Sequence, residues 1–236
     1  METMREKVNE TSVPAYRKSE FFNTLSAPAQ TDLESMLIPV SYPANRVLFS
    51  ETQPPAGIFV ILEGEVKLSI NSSDGRRLSF RIAKAGEVLG LSSTLSGSIH
   101  EMTADTQYPA RIAHISGHAF LQFLSRHPDA YQTVAREMTR SFNLACEQLR
   151  TVGLSASAPE RLARLLLGWS DQGQKTGNSS RCRLSLTHEE IGEFIGASRE
   201  TVTRTLSVFK HRRLVAMHGS MLTIPSRNAL ESYARG

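Results

Sequence analysis

Cysteine is nearly absent from this chain: 236 residues hold two, Cys146 and Cys182, far apart and without CxxC spacing. That count excludes a disulfide-stapled scaffold, a zinc ribbon and a four-cysteine iron–sulfur centre. Each thiol reads as a small, buried or half-buried apolar residue rather than a redox sensor. Long apolar runs are missing as well; none approaches the roughly 18 residues a membrane span needs. The opening stretch METMREKVNETSVP is polar and of mixed charge, with no apolar core of the sort a secretion signal carries. A cytoplasmic protein with no membrane partner is expected. Catalytic signatures are lacking too. There is no nucleophile–base pair, no metal-ligand cluster and no glycine-rich phosphate loop, and the serine-rich LSSTLSGS has no GxSxG elbow. Neither an enzyme nor a metal site is expected.

What remains is the composition of a globular protein, 40% hydrophobic and 21% charged, long enough for one large or two ordinary domains. The net charge of +4 is unevenly placed: residues 155–236 carry twelve Lys and Arg against seven Asp and Glu, residues 1–154 fifteen against sixteen. The basic excess sits wholly in the last third. It points to a polyanionic partner, although many solvated surfaces are this basic.

The texture of the chain changes twice. After a polar tail, FFNTLSAPAQTDLESML reads as one or two short helices, with Pro28 opening the second. From Ile38 to Ile115 no helical periodicity is visible, and glycines and prolines punctuate short strands. Val66 to Ile70 and Leu78 to Ile82 alternate apolar and polar residues on either side of an Asp74-Gly75 turn, the pattern of a hairpin in an all-β roll or barrel. Helical spacing then returns. Tyr131, Ala135, Met138, Phe142, Ala145, Leu149 and Val152 follow one another at 4-3 spacing over three heptads. Such a stripe suits either a helix packed on its own domain or a seam between two copies. It is narrower than an ordinary core-facing stripe, which favours a dimer. GLSASAP (153–159) is the most linker-like segment and ends in a proline suited to a first helical turn.

The densest signal lies in LTHEEIGEFIGASRETVTRTLSVFKHRRLV. Thr187 and Glu190 form a capping box, Ile191 and Ile195 give a first helix its apolar face, and Gly196 supplies a turn. Ser198 caps a second helix whose inward stripe is Val202, Leu206 and Phe209, leaving Arg199, Glu200, Thr203 and Arg204 outward near its start. That end of the second helix is the part of a helix-turn-helix that enters the major groove. Arginine donates bidentately to guanine, and a carboxylate accepts from the cytosine amino group. A glutamate at a helix start also suits the dipole, so spacing alone leaves both readings open. LVAMHGSMLTIP then reads as a β-hairpin wing around His218-Gly219-Ser220, which favours DNA.

EIGEFIGASRETVTRTLSVFKHRRLV closely resembles the DNA-binding helices of the Crp/Fnr superfamily of bacterial regulators, and Ser-Arg-Glu-Thr-Val-x-Arg stands in full at 198–204. The order of parts is similar over roughly residues 20–225. The resemblance implies an α+β fold: a polar tail (1–20), a cyclic-nucleotide-binding-like β-roll (21–117), a dimerisation helix (118–152), a hinge (153–157) and a winged helix-turn-helix (158–236). It implies a homodimeric transcription regulator bound to double-stranded DNA. Base contacts would fall on Arg199, Glu200 and Arg204, and backbone contacts on His188, Ser198, Thr201, Gly219 and Ser220. The head looks like the cyclic-AMP receptor branch, which reads TGTGA-type half-sites. The loop around Lys175–Ser180 stands where RNA polymerase would be met.

The effector region departs from that pattern. The family's cyclic-nucleotide rolls carry Gly-Glu-Leu and, about nine residues on, an arginine for the cyclic phosphate. Here Gly90 is followed by Leu91 and Ser92, the arginine position falls on His100 or Glu101, and no Lys or Arg occurs between Lys84 and Arg111. The dimer-helix positions that contact the base in the family are Cys146 and Glu147. Cyclic AMP is not expected, and no cofactor is. Haem, for which His100, His114 and His118 are the candidate ligands, is not favoured. An unidentified small-molecule effector in the roll, or regulation by abundance alone, remain. The competing class is a ligand-sensing β-roll acting through a protein partner, which would have no reason to keep the Arg-Glu-x-x-x-Arg head.

Overall fold

The computed structural model describes residues 14–154, 157–171 and 173–235. The chain forms two compact units, one of residues 1–67 and 82–138, the other of 68–81 and 139–236.

The first unit is a β-roll with helices at its ends. A 3-10 turn (Ala15–Lys18) leads into α1 (Glu20–Asn23) and α2 (Ala27–Ser35), and Pro28 sits in the first turn of α2. The strands are β1 (Pro39–Tyr42), β2 (Val47–Phe49), β3 (Gly57–Glu63), β4 (Glu65–Asn71), β5 (Arg77–Lys84), β6 (Val88–Leu89), β7 (Thr103–Thr106) and β8 (Ala110–Ser116). They make two four-stranded sheets, ordered β1-β8-β3-β6 and β2-β7-β4-β5. Residues 58–62 of β3 are apolar at every position and buried at every position, because both faces of this strand are covered. Phe49 of one sheet meets Phe59 of the other at 5.4 Å between ring centroids. The core continues into Phe22, Leu33, Phe120, Phe123 and Leu124, all fully buried. Each such side chain contributes about 1.5–3 kcal/mol relative to exposure.

Three features differ from the expectations of the sequence. LSSTLS folds as a short helix, α3 (Leu91–Ser96), opened by Gly90 in the left-handed region; a Cβ there would lie 2.9 Å from the Gly57 carbonyl. The segment 118–152 is not one helix. It is α4 (Gly117–Arg126) followed by α5 (Ala130–Leu154). Pro128 is the cause: it disfavours helical backbone at the residue before it, and His127 has ψ 74°. Third, the stretch 172–180 is not merely a polar loop. Its described part contributes β9 (Gln174–Thr176) and the start of β10 (Ser179–Arg183), paired antiparallel.

The second unit holds α6 (Ala158–Ser170), α7 (His188–Ile195), α8 (Arg199–His211), β11 (Ala216–His218), β12 (Met221–Ile224) and α9 (Arg227–Arg235). Its sheet runs β11-β12-β10-β9. Leu162 and Leu166 of α6, Ile191 and Ile195 of α7, Val202, Leu206 and Phe209 of α8 and Leu230 of α9 are all buried. The helical spacing of these apolar residues therefore marks the inward faces. The C-terminal helix α9 had no expectation attached to it, yet its Tyr233 packs edge-on against Phe209 at 5.0 Å. Residues 68–81, which hold most of β4 and β5 and the turn between them, belong to this unit as well. Gln148 Nε2 on α5 donates to Ser79 O at 3.2 Å and Phe194 O at 2.9 Å, and the Ser79 hydroxyl donates to Glu193 Oε2 at 2.6 Å. Of the expected hinge at 153–157, Ser155 and Ala156 lie outside the described residues.

Candidate nucleic-acid interface

The geometry of α7 and α8 follows from local chemistry. Thr187 caps α7 as part of a complete capping box: Glu190 N donates to Thr187 Oγ1 at 3.2 Å and Thr187 N donates to Glu190 Oε2 at 2.8 Å. Gly196 ends α7 at φ 60°, ψ 47°, and Ala197 N donates back to Gly192 O at 3.0 Å. Gly192 permits that closeness, since a Cβ on it would stand 2.4 Å from the Ala197 carbonyl. Arg161 Nε reaches across from α6 to the Ile195 carbonyl at 2.6 Å, satisfying one of the groups a helix end leaves open. Neither Gly192 nor Arg161 was singled out from sequence. The IGxxIG spacing carried a signal for the glycine, whereas the arginine acts only through the fold.

Ser198 caps α8, accepting from Thr201 N at 3.2 Å, with its hydroxyl also 3.2 Å from Thr201 Oγ1. With Val202, Leu206 and Phe209 buried, Arg199, Glu200, Thr203 and Arg204 are all exposed. Among the described residues neither arginine forms a salt bridge, and the Glu200 carboxylate is held below its ordinary pKa. Its own backbone amide is the main cause, followed by the Ser198 hydroxyl and by the positive charge of Arg199. At neutral pH the outward surface therefore presents guanidinium donors beside an ionised acceptor. His188, the first residue of α7, is half-buried, and its Nδ1 lies 2.8 Å from Thr203 Oγ1. Gly219 and Ser220 form the exposed β11–β12 turn, Gly219 at φ 57°, and Leu184 N donates to Ser220 O at 2.7 Å. His188, Ser198, Thr201, Arg199, Glu200 and Arg204 thus lie on the paired helices, and Gly219 and Ser220 on the adjoining hairpin.

The seam positions also look outward. Tyr131, Ala135, Met138, Phe142 and Leu149 are exposed and Ala145 and Val152 half-buried, with Phe142 at 67% and Leu149 at 70%. The residues of α5 buried within the chain are others: Ala130, Thr133, Val134 and Glu137. Of the two cysteines, Cys146 is half-buried, and Cys182 is buried, which pushes its thiol above the ordinary value and away from thiolate chemistry.

The roll residues are arranged differently. His100 is 3% exposed, stacked on Phe49 at 4.1 Å, with Nδ1 2.8 Å from the Ser93 hydroxyl. Burial holds it below its ordinary pKa, against the pull of Glu101, so it stays neutral. Ser92, following Gly90 and Leu91 at the start of α3, donates its hydroxyl to Glu101 Oε1 at 2.8 Å. A carboxylate occupies the serine that would otherwise face an anion. His114 is exposed beside Phe59 and His118 is exposed on α4. Among the described residues no group of three His, Cys, Asp or Glu is placed to hold a metal ion, and no helix is long and apolar enough to cross a membrane.

Two helices at a tight turn, the second capped and polar outward, with a β-hairpin beside them, define a winged helix-turn-helix protein of the DNA-binding class. Comparison with known proteins agrees. Residues 160–233 match the Crp-like helix-turn-helix domain and residues 39–127 the cyclic nucleotide-binding domain. The chain is 26% identical over 219 residues to a CRP-like cAMP-activated global transcriptional regulator of Mycobacterium tuberculosis, covering 92% of this chain and 97% of that one. It shares its fold with FixK2 of Bradyrhizobium japonicum, at a TM-score of 0.72 and 20% identity over 84% of this chain and 96% of that one. It also shares it with the c-di-GMP responsive global regulator CLP of Xanthomonas campestris, at a TM-score of 0.73 and 18% identity over 85% of this chain and all of the other. This chain belongs to the Crp/Fnr superfamily of transcription regulators; its relatives regulate transcription and are not enzymes.

Proposed function

We propose that the protein is a homodimeric regulator that reads a TGTGA-like palindrome through Arg199, Glu200 and Arg204, with an effector other than cyclic AMP or none. The observation that carries the reading is the outward set on α8: two arginines and an ionised glutamate, exposed together at the end of the helix that enters a major groove in this fold. Bidentate donation by arginine and acceptance by glutamate suit G·C pairs. The exposed apolar stripe of α5 supports pairing of two copies, which would set the two heads about 34 Å apart, one turn of DNA. His188, Ser198, Thr201 and the Gly219-Ser220 turn would hold the phosphates. The exposed β9–β10 turn, around Lys175 to Asn178, is the surface we assign to RNA polymerase.

Against cyclic AMP stands the chemistry around α3. The cyclic phosphate would meet a neutral, packed His100 and a Glu101 carboxylate, with no guanidinium in that stretch of chain. The test is binding to a palindromic TGTGA duplex and to a scrambled one, by fluorescence anisotropy at fixed salt. Arg204→Ala should weaken binding by about 1–3 kcal/mol and relax preference at one base pair of each half-site. An Arg204→Ala protein that distinguishes the two duplexes as well as the wild type does would sink the assignment.

A further inference from the structure

Thr203 stands among the outward residues of α8, between Arg199 and Arg204, but its hydroxyl is already engaged within the protein. Its Oγ1 lies 2.9 Å from the Arg199 carbonyl, one turn back on its own helix, and 2.8 Å from Nδ1 of His188 on the other helix of the pair. A threonine hydroxyl has one proton. Either it goes to the Arg199 carbonyl and the imidazole donates Nδ1–H to Oγ1, or it goes to Nδ1. In both arrangements the Nδ1 edge of the ring is occupied, and Nε2 is the nitrogen left for another partner.

We infer that Thr203 is a positioning residue that aims Nε2 of His188 at a DNA phosphate, and so links the seating of α8 in the groove to a backbone contact made by α7. This rests on the DNA-binding reading above. If the hydroxyl donates to Nδ1, the neutral ring carries its proton on Nε2 and donates it to the phosphate. If the ring donates at Nδ1, Nε2 donates to a phosphate only in the doubly protonated ring, whose charge then adds to the contact, since the neutral Nδ1–H tautomer leaves Nε2 an acceptor. Of the two carboxylates that follow His188, Glu190 is tied into the cap by Thr187 N and Thr187 Oγ1, at 2.8 and 3.0 Å. Glu189 remains exposed on α7, and Arg199, Glu200 and Arg204 are the charged groups of the facing helix start. Thr203 spends its polar atom on His188 and Arg199, which leaves its methyl to the groove. Its effect on base preference is therefore small, and its effect on one phosphate large.

The experiment is a phosphate scan with the full chain. Anisotropy is measured on a set of duplexes carrying a TGTGA palindrome, each with one uncharged methylphosphonate, for the wild type, Thr203→Val, Thr203→Ser, His188→Ala and the double variant of Thr203→Val with His188→Ala. The wild type should lose affinity at one phosphate per half-site where Thr203→Val and His188→Ala lose nothing more. On unmodified duplex both variants should bind about five- to twentyfold more weakly, the double variant no worse than His188→Ala, and Thr203→Ser like the wild type. Base preference should be unchanged in all, and thermal melting of the free proteins should agree within a degree or two. If the wild type binds while Thr203→Val matches it on every duplex, or changes base preference and keeps the phosphate contact, the inference falls alone. A wild type that binds no duplex at any salt overturns the DNA reading and this inference with it.

Discussion

The winged head and the β-roll use polar side chains in opposite ways. In the head, apolar residues at 202, 206 and 209 are buried and the chemistry-bearing residues 199, 200 and 204 are pushed outward, solvated and ionised. In the roll, His100 is turned inward, stacked on Phe49 and bonded to Ser93, while Ser92 is taken by Glu101. In the head the charged ends stay at the surface even where the helix start steadies them, as Ser198 does Glu200; in the roll the polar side chain is absorbed by packing. An exposed, charged helix start thus stands against a region where Ser93 with His100, and Ser92 with Glu101, partner each other.

The first way to break the contrast is to remove what brings two heads together. Phe142→Glu places a charge in the middle of the proposed seam, and monomers are expected in sedimentation velocity with palindrome binding lost. An unchanged dimer would move the interface off α5. Next, Phe209→Ala should cost about 3–5 kcal/mol and strip hydrogen-exchange protection from the described residues of 158–235, while amides of β3 and β8 keep theirs. Loss of protection in both would show that the two regions unfold together. A smaller effect follows from His100. Its folded pKa lies below the ordinary 6.5, so the unfolded chain takes up a proton that the folded roll refuses. Its contribution to stability is then full above about pH 6.5 and falls as pH drops toward the folded value. Urea melts between pH 5 and 7.5 should show that fall, and His100→Asn should flatten it; an equal slope in the variant would assign the fall to other groups. The smallest expected effect is none. Cyclic AMP at millimolar concentration should leave both the melting temperature and the DNA affinity where they were. Binding at a hundredfold excess over its dissociation constant would instead add about 2.7 kcal/mol of stability.

Much of the head was legible because its determinants are short-range. A capping box spans three residues, a buried stripe repeats within two turns, and a glycine marks the turn between helices; each is readable in about 25 residues. The roll's strands around the Asp74-Gly75 turn were legible for the same reason, since period-2 alternation is local. What escaped had other causes. LSSTLS carries too few apolar residues to show a period, and only the close approach of Gly90 to Gly57 gives α3 its start. The break at Pro128 lies before the 4-3 stripe, which starts at Tyr131, and so outside the pattern that marks α5. Helix α9 ends the chain in a polar-looking segment whose apolar side chains, Leu230 and Tyr233, make sense only against Phe209 and its neighbours.

The amino-acid sequence by itself determined which residues of α8 face inward and which face out, because helical period and hydrophobicity fix that choice wherever the helix docks. It also determined that the stretch between Lys84 and Arg111 offers an anion no guanidinium of its own. Only the tertiary structure decided that His100 is consumed by Phe49 and Ser93, that Gln148 bridges Ser79 and Phe194, and that Thr203 meets His188. Phe49 and His100 or Gln148 and Ser79 are distant along the chain, Ser93 and His100 or His188 and Thr203 are not, but each meeting depends on how separate elements pack, which no local pattern in either partner encodes.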